Sequence, residues 1–213
     1  MATIQLQLCA LHDILTTNPH LERKQQITQR KNAIYAYRNV LLSQQLGHAI
    51  QMQDFAKTEF GKPYLAHFPN FYFNHSHSAK LYVLASSQKI RDVGVDVEDL
   101  DRQVKFLALA EHAFHAEELQ RWLDLGQDSD YWFKVWTTKE AVLKASGLGI
   151  RLNLNELNTQ THPEQDGGMC SHPQLGTFAY QNFNIAHAML TVAWRSEYSC
   201  KGFHFPLIQI QHV

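Results

Sequence analysis

Cysteine is scarce and scattered in this chain. Cys9, Cys170 and Cys200 are the only three in 213 residues, and no two form a C-x-x-C pair. Neither a disulfide framework nor a thiolate zinc site is expected, and free thiols of this kind suit a reducing compartment. Long apolar runs are also missing. No stretch approaches the roughly 18 residues of a membrane-spanning helix, so no membrane partner is expected. The segment from Met1 to Leu15 lacks a basic lead, and Gln5, Gln7 and His12 interrupt it, which argues against a secretory signal. A cytoplasmic location is the expectation. Charge of one sign is absent as well: 19 Lys and Arg against 20 Asp and Glu leave a formal net charge of -1. That balance supplies no general drive toward nucleic acid or anionic membrane. No Walker A loop, G-x-G-x-x-G fingerprint or nucleophile elbow occurs, and Ser–His–Asp or Cys–His catalysis finds no local support.

Aromatic residues are plentiful, with four Trp, eight Tyr and twelve Phe, and 45% of the chain is hydrophobic, enough for a packed globular core. Periodicity predicts a strand over residues 3–9 and a helix over 20–47 closed by Gly47, with Ile27, Ala33, Ile34, Tyr37, Val40, Leu41 and Leu42 on its apolar side. Gly61-Lys62-Pro63 reads as a turn. Short apolar runs, Phe71–Phe73 and Leu81–Ala85, flank Asn74-His75-Ser76-His77-Ser78, and a third strand is predicted over 92–98. Helices follow over 103–113, 116–125 and 130–146, the last capped by Ser129 or Asp130 and closed by Gly147. Residues 159–176 read as a surface loop, and Phe183–Trp194 and Phe203–Gln211 as the final strands. Each half thus offers a long helix followed by strands. The expectation is an α+β fold of two halves, 1–102 and 103–213, although no sequence repeat is visible between them.

Chemistry concentrates in two acidic clusters. In Val93-Gly94-Val95-Asp96-Val97-Glu98 the valines alternate with the other residues, so Asp96 and Glu98 project from one strand face. In the 130–146 helix Trp132, Trp136, Glu140 and Lys144 recur every four residues and form one stripe. If that stripe meets the strand, three carboxylates and a lysine converge on a site suited to a hard divalent cation and a phosphate. The plainer alternatives are a solvated acidic strand face and an exposed i,i+4 ion pair, worth only about 0.2–0.5 kcal/mol. The apolar flanks of the helix, Trp132, Phe133, Val135, Val142 and Leu143, argue against simple solvation. Lys139, about 100° round the helix from Glu140, is placed to reach a second phosphate oxygen. His75 and His77 form a His-x-His pair without a nearby third ligand, so zinc is disfavoured. Ser76, His77 and Lys62 suit phosphate oxygens, whereas the alternative for 74–78 is a hairpin turn satisfied by Asn and Ser. Arg23, Lys24, Arg30, Lys31 and Arg38 give the first long helix a basic side, either solvated or bordering the site.

The ordered blocks Gly61-Lys62-Pro63-Tyr64, Phe73-Asn74-His75-Ser76-His77-Ser78, Val93-Gly94-Val95-Asp96-Val97-Glu98 and Trp136-Thr137-Thr138-Lys139-Glu140-Ala141-Val142-Leu143-Lys144 together resemble the 4′-phosphopantetheinyl transferases of the Sfp type. The resemblance implies two similar α/β halves related by a pseudo-twofold axis, with the active site in the cleft between them. It also implies transfer of phosphopantetheine from coenzyme A to a serine of an apo acyl or peptidyl carrier protein, releasing 3′,5′-ADP, by a monomeric enzyme. On that analogy Asp96, Glu98 and Glu140 hold Mg²⁺, with Mn²⁺ also suited to the oxygens. Glu140 is then the base for the serine proton, and Lys144 meets the departing phosphate. Lys62, Ser76 and His77 correspond to positions contacting CoA phosphates, and Arg38 is favoured over Arg30 and Lys31 for the 3′-phosphate. His75 departs from the pattern, standing where the family often has an apolar residue. Carrier docking is expected near the 104–125 helices, with Arg102 and Lys105 facing an acidic partner helix. Two rival readings use the same residues: a metal-dependent phosphohydrolase acting on CoA-like pyrophosphates, and a non-catalytic CoA-binding module.

Overall fold

The computed structural model describes residues 2–16, 20–149, 151–196 and 205–213; Cys200 and the start of the expected Phe203–Gln211 strand lie outside them. Along the chain run β1 (Thr3–Ala10), α1 (Leu11–Ile14), α2 (Arg23–Leu46), β2 (Phe55–Lys57), β3 (Pro63–Leu65), β4 (Tyr72–His77), β5 (Leu81–Ser87) and β6 (Gly94–Asp99). There follow α3 (Phe106–Ala113), α4 (Ala116–Asp124), α5 (Ser129–Ser146), β7 (Gly167–His172), β8 (Gly176–Ile185), β9 (Ala188–Arg195) and β10 (Leu207–His212). The fold is α+β, and no helix among the described residues is long and apolar enough to cross a membrane.

Two four-stranded sheets carry the architecture, ordered β10-β1-β5-β4 and β6-β9-β8-β7, with β2-β3 a separate hairpin. The sheets face one another through Ile4, Leu6, Leu8, Val83 and Ala85 on one side and Val95, Val97, Leu190 and Val192 on the other. The alternate residues of β5, Tyr82 and Leu84, point the opposite way and meet Ile34, Leu41 and Leu42 of α2. On the second sheet, Phe178, Tyr180 and Ala193 meet Ala141, Val142 and Ala145 of α5. Period-2 alternation thus buries both faces of both sheets, giving a helix–sheet–sheet–helix stack.

A division at residue 102 does not separate the sheets. β6, from before it, pairs with β9, and β10, from after it, runs parallel to β1 with Thr3 opposite Leu207. Other expectations shift for local reasons. α5 is capped one residue earlier than expected, by the Asp128 carboxylate accepting from the Tyr131 N–H at 2.7 Å. Residues 74–77 are strand rather than turn; the turn follows, where the Ser78 N–H donates to Leu81 O. Within the expected loop 159–176, Thr159 and Thr161 are buried and β7 pairs with β8. Gly168 there makes room for Tyr180, whose hydroxyl would lie 2.5 Å from an added Cβ. Phe183–Trp194 divides between β8 and β9 at Ala186 and His187, both left-handed, a turn without the usual Gly or Asn signal.

The contact that positions the site is α5 against β6. An added Cβ at Gly94 would lie 2.1 Å from Ala141 O and 2.3 Å from Ala145 N, so only glycine lets the helix backbone come this close. Gly94→Ala is therefore expected to destabilise the protein by about 3 kcal/mol. Urea unfolding measures this, and an unchanged midpoint would contradict so close an approach.

Candidate active site

The free edges of the two sheets, β4 and β6, lie side by side, and a cleft of about 700 Å³ opens over them. Ser76 and His77 of β4, Asp96 and Glu98 of β6, and Trp136, Glu140 and Lys144 of α5 line it. α2 contributes Arg30, Lys31 and Tyr35 from across the cleft. The strand carboxylates and the helix stripe expected from spacing do share one site.

At its floor Asp96 is buried. Its Oδ1 accepts from Lys144 Nζ at 2.6 Å and from Ser76 Oγ at 2.9 Å, and Lys144 Nζ also donates to Ser76 Oγ at 3.0 Å. Its Oδ2 is buried with no hydrogen-bond partner among the described residues. Glu98 is paired with Arg102 at 2.5 Å. Burial raises the Glu98 carboxyl above its ordinary range, and Asp96 adds to this, while Arg102 and the Trp136 indole pull the other way. The Glu140 carboxyl is raised too, first by burial and then by the Asp96 charge, with Lys144 opposing. Burial lowers His77 and takes His75 down to about 3. Neutral His75 packs edge-on to Tyr35, and its Nδ1 has no partner.

Among the described residues, no three His, Cys, Asp or Glu side chains are gathered into a metal-ligand cluster. Asp96, Glu98 and Glu140 share the cleft, but Asp96 and Glu98 are turned to Lys144 and Arg102. The donor set nonetheless fits a hard divalent cation. Asp96 Oδ2 is an oxygen taken out of water with nothing to bond, which is costly until a donor or cation arrives. Two further carboxylates beside it are raised by burial and by the Asp96 charge, and all three offer oxygen only.

Three expected phosphate ligands lie elsewhere. Lys62 is turned into the fold, where Nζ donates to Val93 O at 3.1 Å and Ala145 O at 2.7 Å; burial lowers it to about 8. Lys139 is fully buried on the far side of α5, paired with Glu118 at 2.7 Å and donating to Leu154 O at 3.0 Å and to Leu157 O. A rotation of 100° along a helix carried it off the cleft. Arg38 is buried with its guanidinium 3.9 Å from the Phe55 ring centroid and 4.8 Å from that of Tyr35, bonded to Asn39 Oδ1. Arg30 and Lys31, the competing positions, line the cleft instead. Arg102 was legible as a basic residue after the strand but not as the partner of Glu98, since the chain turns between them.

The raised Glu140 has a consequence for stability. A carboxyl whose folded pKa lies above its unfolded value loses stability as pH rises between the two. Glu140→Gln should therefore match the wild-type melting temperature near pH 4 and exceed it at pH 8 without added metal. A lower melting temperature at pH 8 would refute this.

Residues 92–193 match the model of the 4′-phosphopantetheinyl transferase superfamily. The 4′-phosphopantetheinyl transferase Sfp of Bacillus subtilis (strain 168) is 30% identical over 115 residues, covering 53% of this chain and 49% of the relative. The 4′-phosphopantetheinyl transferase gsp of Aneurinibacillus migulanus is 32% identical over 155 residues, or 67% and 62% of the two chains. The 4′-phosphopantetheinyl transferase ffp of Bacillus subtilis is 31% identical over 112 residues, or 52% and 48%. The chain spans about half the length of the first of these curated relatives that it matches. The matched segment carries β6 with Asp96 and Glu98 and α5 with Glu140 and Lys144, so the part of the chain that is similar to the 4′-phosphopantetheinyl transferase superfamily is the part that builds this site.

Proposed function

We propose that this protein transfers 4′-phosphopantetheine from coenzyme A to a serine hydroxyl of an apo acyl or peptidyl carrier protein, with Mg²⁺ as cofactor. The observation that carries the reading is the Ser76–Asp96–Lys144 cluster, with Asp96 Oδ2 partnerless beside Glu98 and Glu140. It suits the charge of a pyrophosphate. Asp96, Glu98 and Glu140 would hold the cation, which supplies charge neutralisation to the pyrophosphate. The serine oxygen bonds to the β-phosphorus as the bond from that phosphorus to the bridging oxygen breaks, releasing 3′,5′-ADP. Glu140, in the cleft beside Asp96 and Lys144, takes the serine proton, directly or through water. Lys144 meets the negative charge on the departing phosphate. Ser76 and His77 bond phosphate oxygens from β4, and Arg30 and Lys31 face the terminal phosphate from α2. The two sheet-and-helix units are read as the related halves of the family fold in a monomeric, cytoplasmic enzyme.

Carrier docking fits the mouth of the cleft beside α3. Lys105, exposed just before that helix, is available to an acidic partner, whereas Arg102 is engaged with Glu98.

Incubation with CoA, Mg²⁺ and an apo carrier should add one phosphopantetheine group to the carrier by mass. Glu140→Gln and Lys144→Ala should each lower the rate by at least about 100-fold. CoA cleavage without carrier loading would instead identify a phosphohydrolase. Lys105→Glu should raise the carrier KM and leave CoA affinity unchanged; unaltered carrier kinetics would remove this residue from the docking surface.

A further inference from the structure

Among the described residues β6 is paired by backbone only to β9, and β4 only to β5, so each presents an edge to the other. Unpaired backbone groups at a buried edge need partners. Side chains join the two edges in three rungs spaced two residues apart on β4 and the turn that follows, the first of which takes up a backbone N–H of β6. Asn74 Oδ1 accepts from the Val95 N–H at 2.9 Å. Ser76 Oγ donates to Asp96 Oδ1 at 2.9 Å. Ser78 Oγ donates to Asp99 Oδ1 at 2.7 Å, while Asp99 Oδ2 accepts from the Ala79 N–H at 2.9 Å.

The middle rung belongs to the candidate active site, and the outer two do not. Asn74, Ser78 and Asp99 are each buried, and none lines the cleft. Asp99 stands out among them as a buried carboxylate, one residue beyond Glu98, that the proposed chemistry leaves unused. Both its oxygens are spent on the turn closing β4. Within that turn Ser78 Oγ also accepts from the N–H groups of Lys80, at 3.2 Å, and Leu81, at 3.0 Å. Asp99 therefore fastens the end of β4, with Ser76 and His77 on it, to the strand that carries Asp96 and Glu98.

We propose that Asp99 is a positioning residue: through Ser78 and Ala79 it sets the register of β4 against β6, and so the place of Ser76 and His77 relative to Asp96. The inference rests on the transferase reading of the site. It assigns Asp99 a role through hydrogen-bond acceptance and geometry, not through charge, which separates it from a fourth cation ligand. Ser78→Ala removes one of the two contacts and leaves the carboxylate and its bond from the Ala79 N–H in place. Asp99→Ala loses both.

Carrier loading by wild type, Asp99→Ala and Ser78→Ala, with CoA affinity read by calorimetry, tests this. Asp99→Ala is expected to lower kcat/KM for CoA about 10- to 100-fold, the scale of misplaced reacting groups, and to weaken CoA binding, since Ser76 and His77 shift with β4. Ser78→Ala, which keeps the Asp99 charge, should change both in the same direction. Amide exchange at Ala79 should be accelerated in Asp99→Ala. An impaired Asp99→Ala beside an unimpaired Ser78→Ala would overturn the proposal in favour of a charge role, and an unimpaired Asp99→Ala would overturn it outright. If Asp99→Ala does not fold, the kinetics of Ser78→Ala still decide: impairment supports the geometric role and wild-type kinetics overturn it. A wild-type protein that loads no carrier would overturn the proposed function and this role together. Normal wild-type loading with either failed variant result overturns only the role of Asp99.

Discussion

The contact between α5 and β6 at Gly94 governs much of what this molecule can do. A missing side chain lets helix backbone lie against strand backbone, and that proximity brings Glu140 and Lys144 within reach of Asp96 and Glu98. Lys62 reinforces it by bridging Val93 O, at the entrance to the strand, and Ala145 O, in the last turn of the helix. A cation at a helix C-terminus also complements the helix dipole. The active-site spacing is therefore a packing distance, set by atoms that take no part in the chemistry.

The cationic residues considered for the site divide into two groups. Lys62, Lys139 and Arg38 are spent inside the fold, on carbonyl oxygens, on Glu118 and on aromatic faces. Arg30, Lys31, Arg102 and Lys144 remain at the cleft, the last two already holding carboxylates. A phosphate-bearing ligand and its cation would meet a site whose charges are preset against each other, and binding exchanges those internal partners for external ones. On the proposed reading, Asp96 and Glu98 would release Lys144 and Arg102 toward phosphate on taking up a cation.

The sequence was most legible where a period governs. The Val93–Glu98 alternation and the four-residue stripe of α5 predicted both elements and the face each presents, and the site sits where they cross. It was least legible where a partner is distant along the chain. The direction of Lys139 depends on Glu118 and on the carbonyls of Leu154 and Leu157, and that of Lys62 on Ala145, none of which a local pattern encodes. Matching residue types likewise do not fix where a flexible cationic side chain turns. The 186–187 turn escaped because it forms on Ala and His, and β7 because its glycines read as a break when they are there to admit Tyr180.

The parallel pairing of β1 with β10 bears on how the chain acquires its structure. β1 is made early, yet the strand that covers its outer edge is encoded some two hundred residues later. Contacts of such long sequence separation slow folding, because closing the intervening loop costs entropy before any bond repays it. During synthesis the edge of β1, with Ile4, Leu6 and Leu8 alternating along it, waits uncovered, a template for wrong pairing. A growing chain thus passes through a stage in which its first sheet lacks a strand, and a chaperone that shields that edge would improve the yield of folded protein.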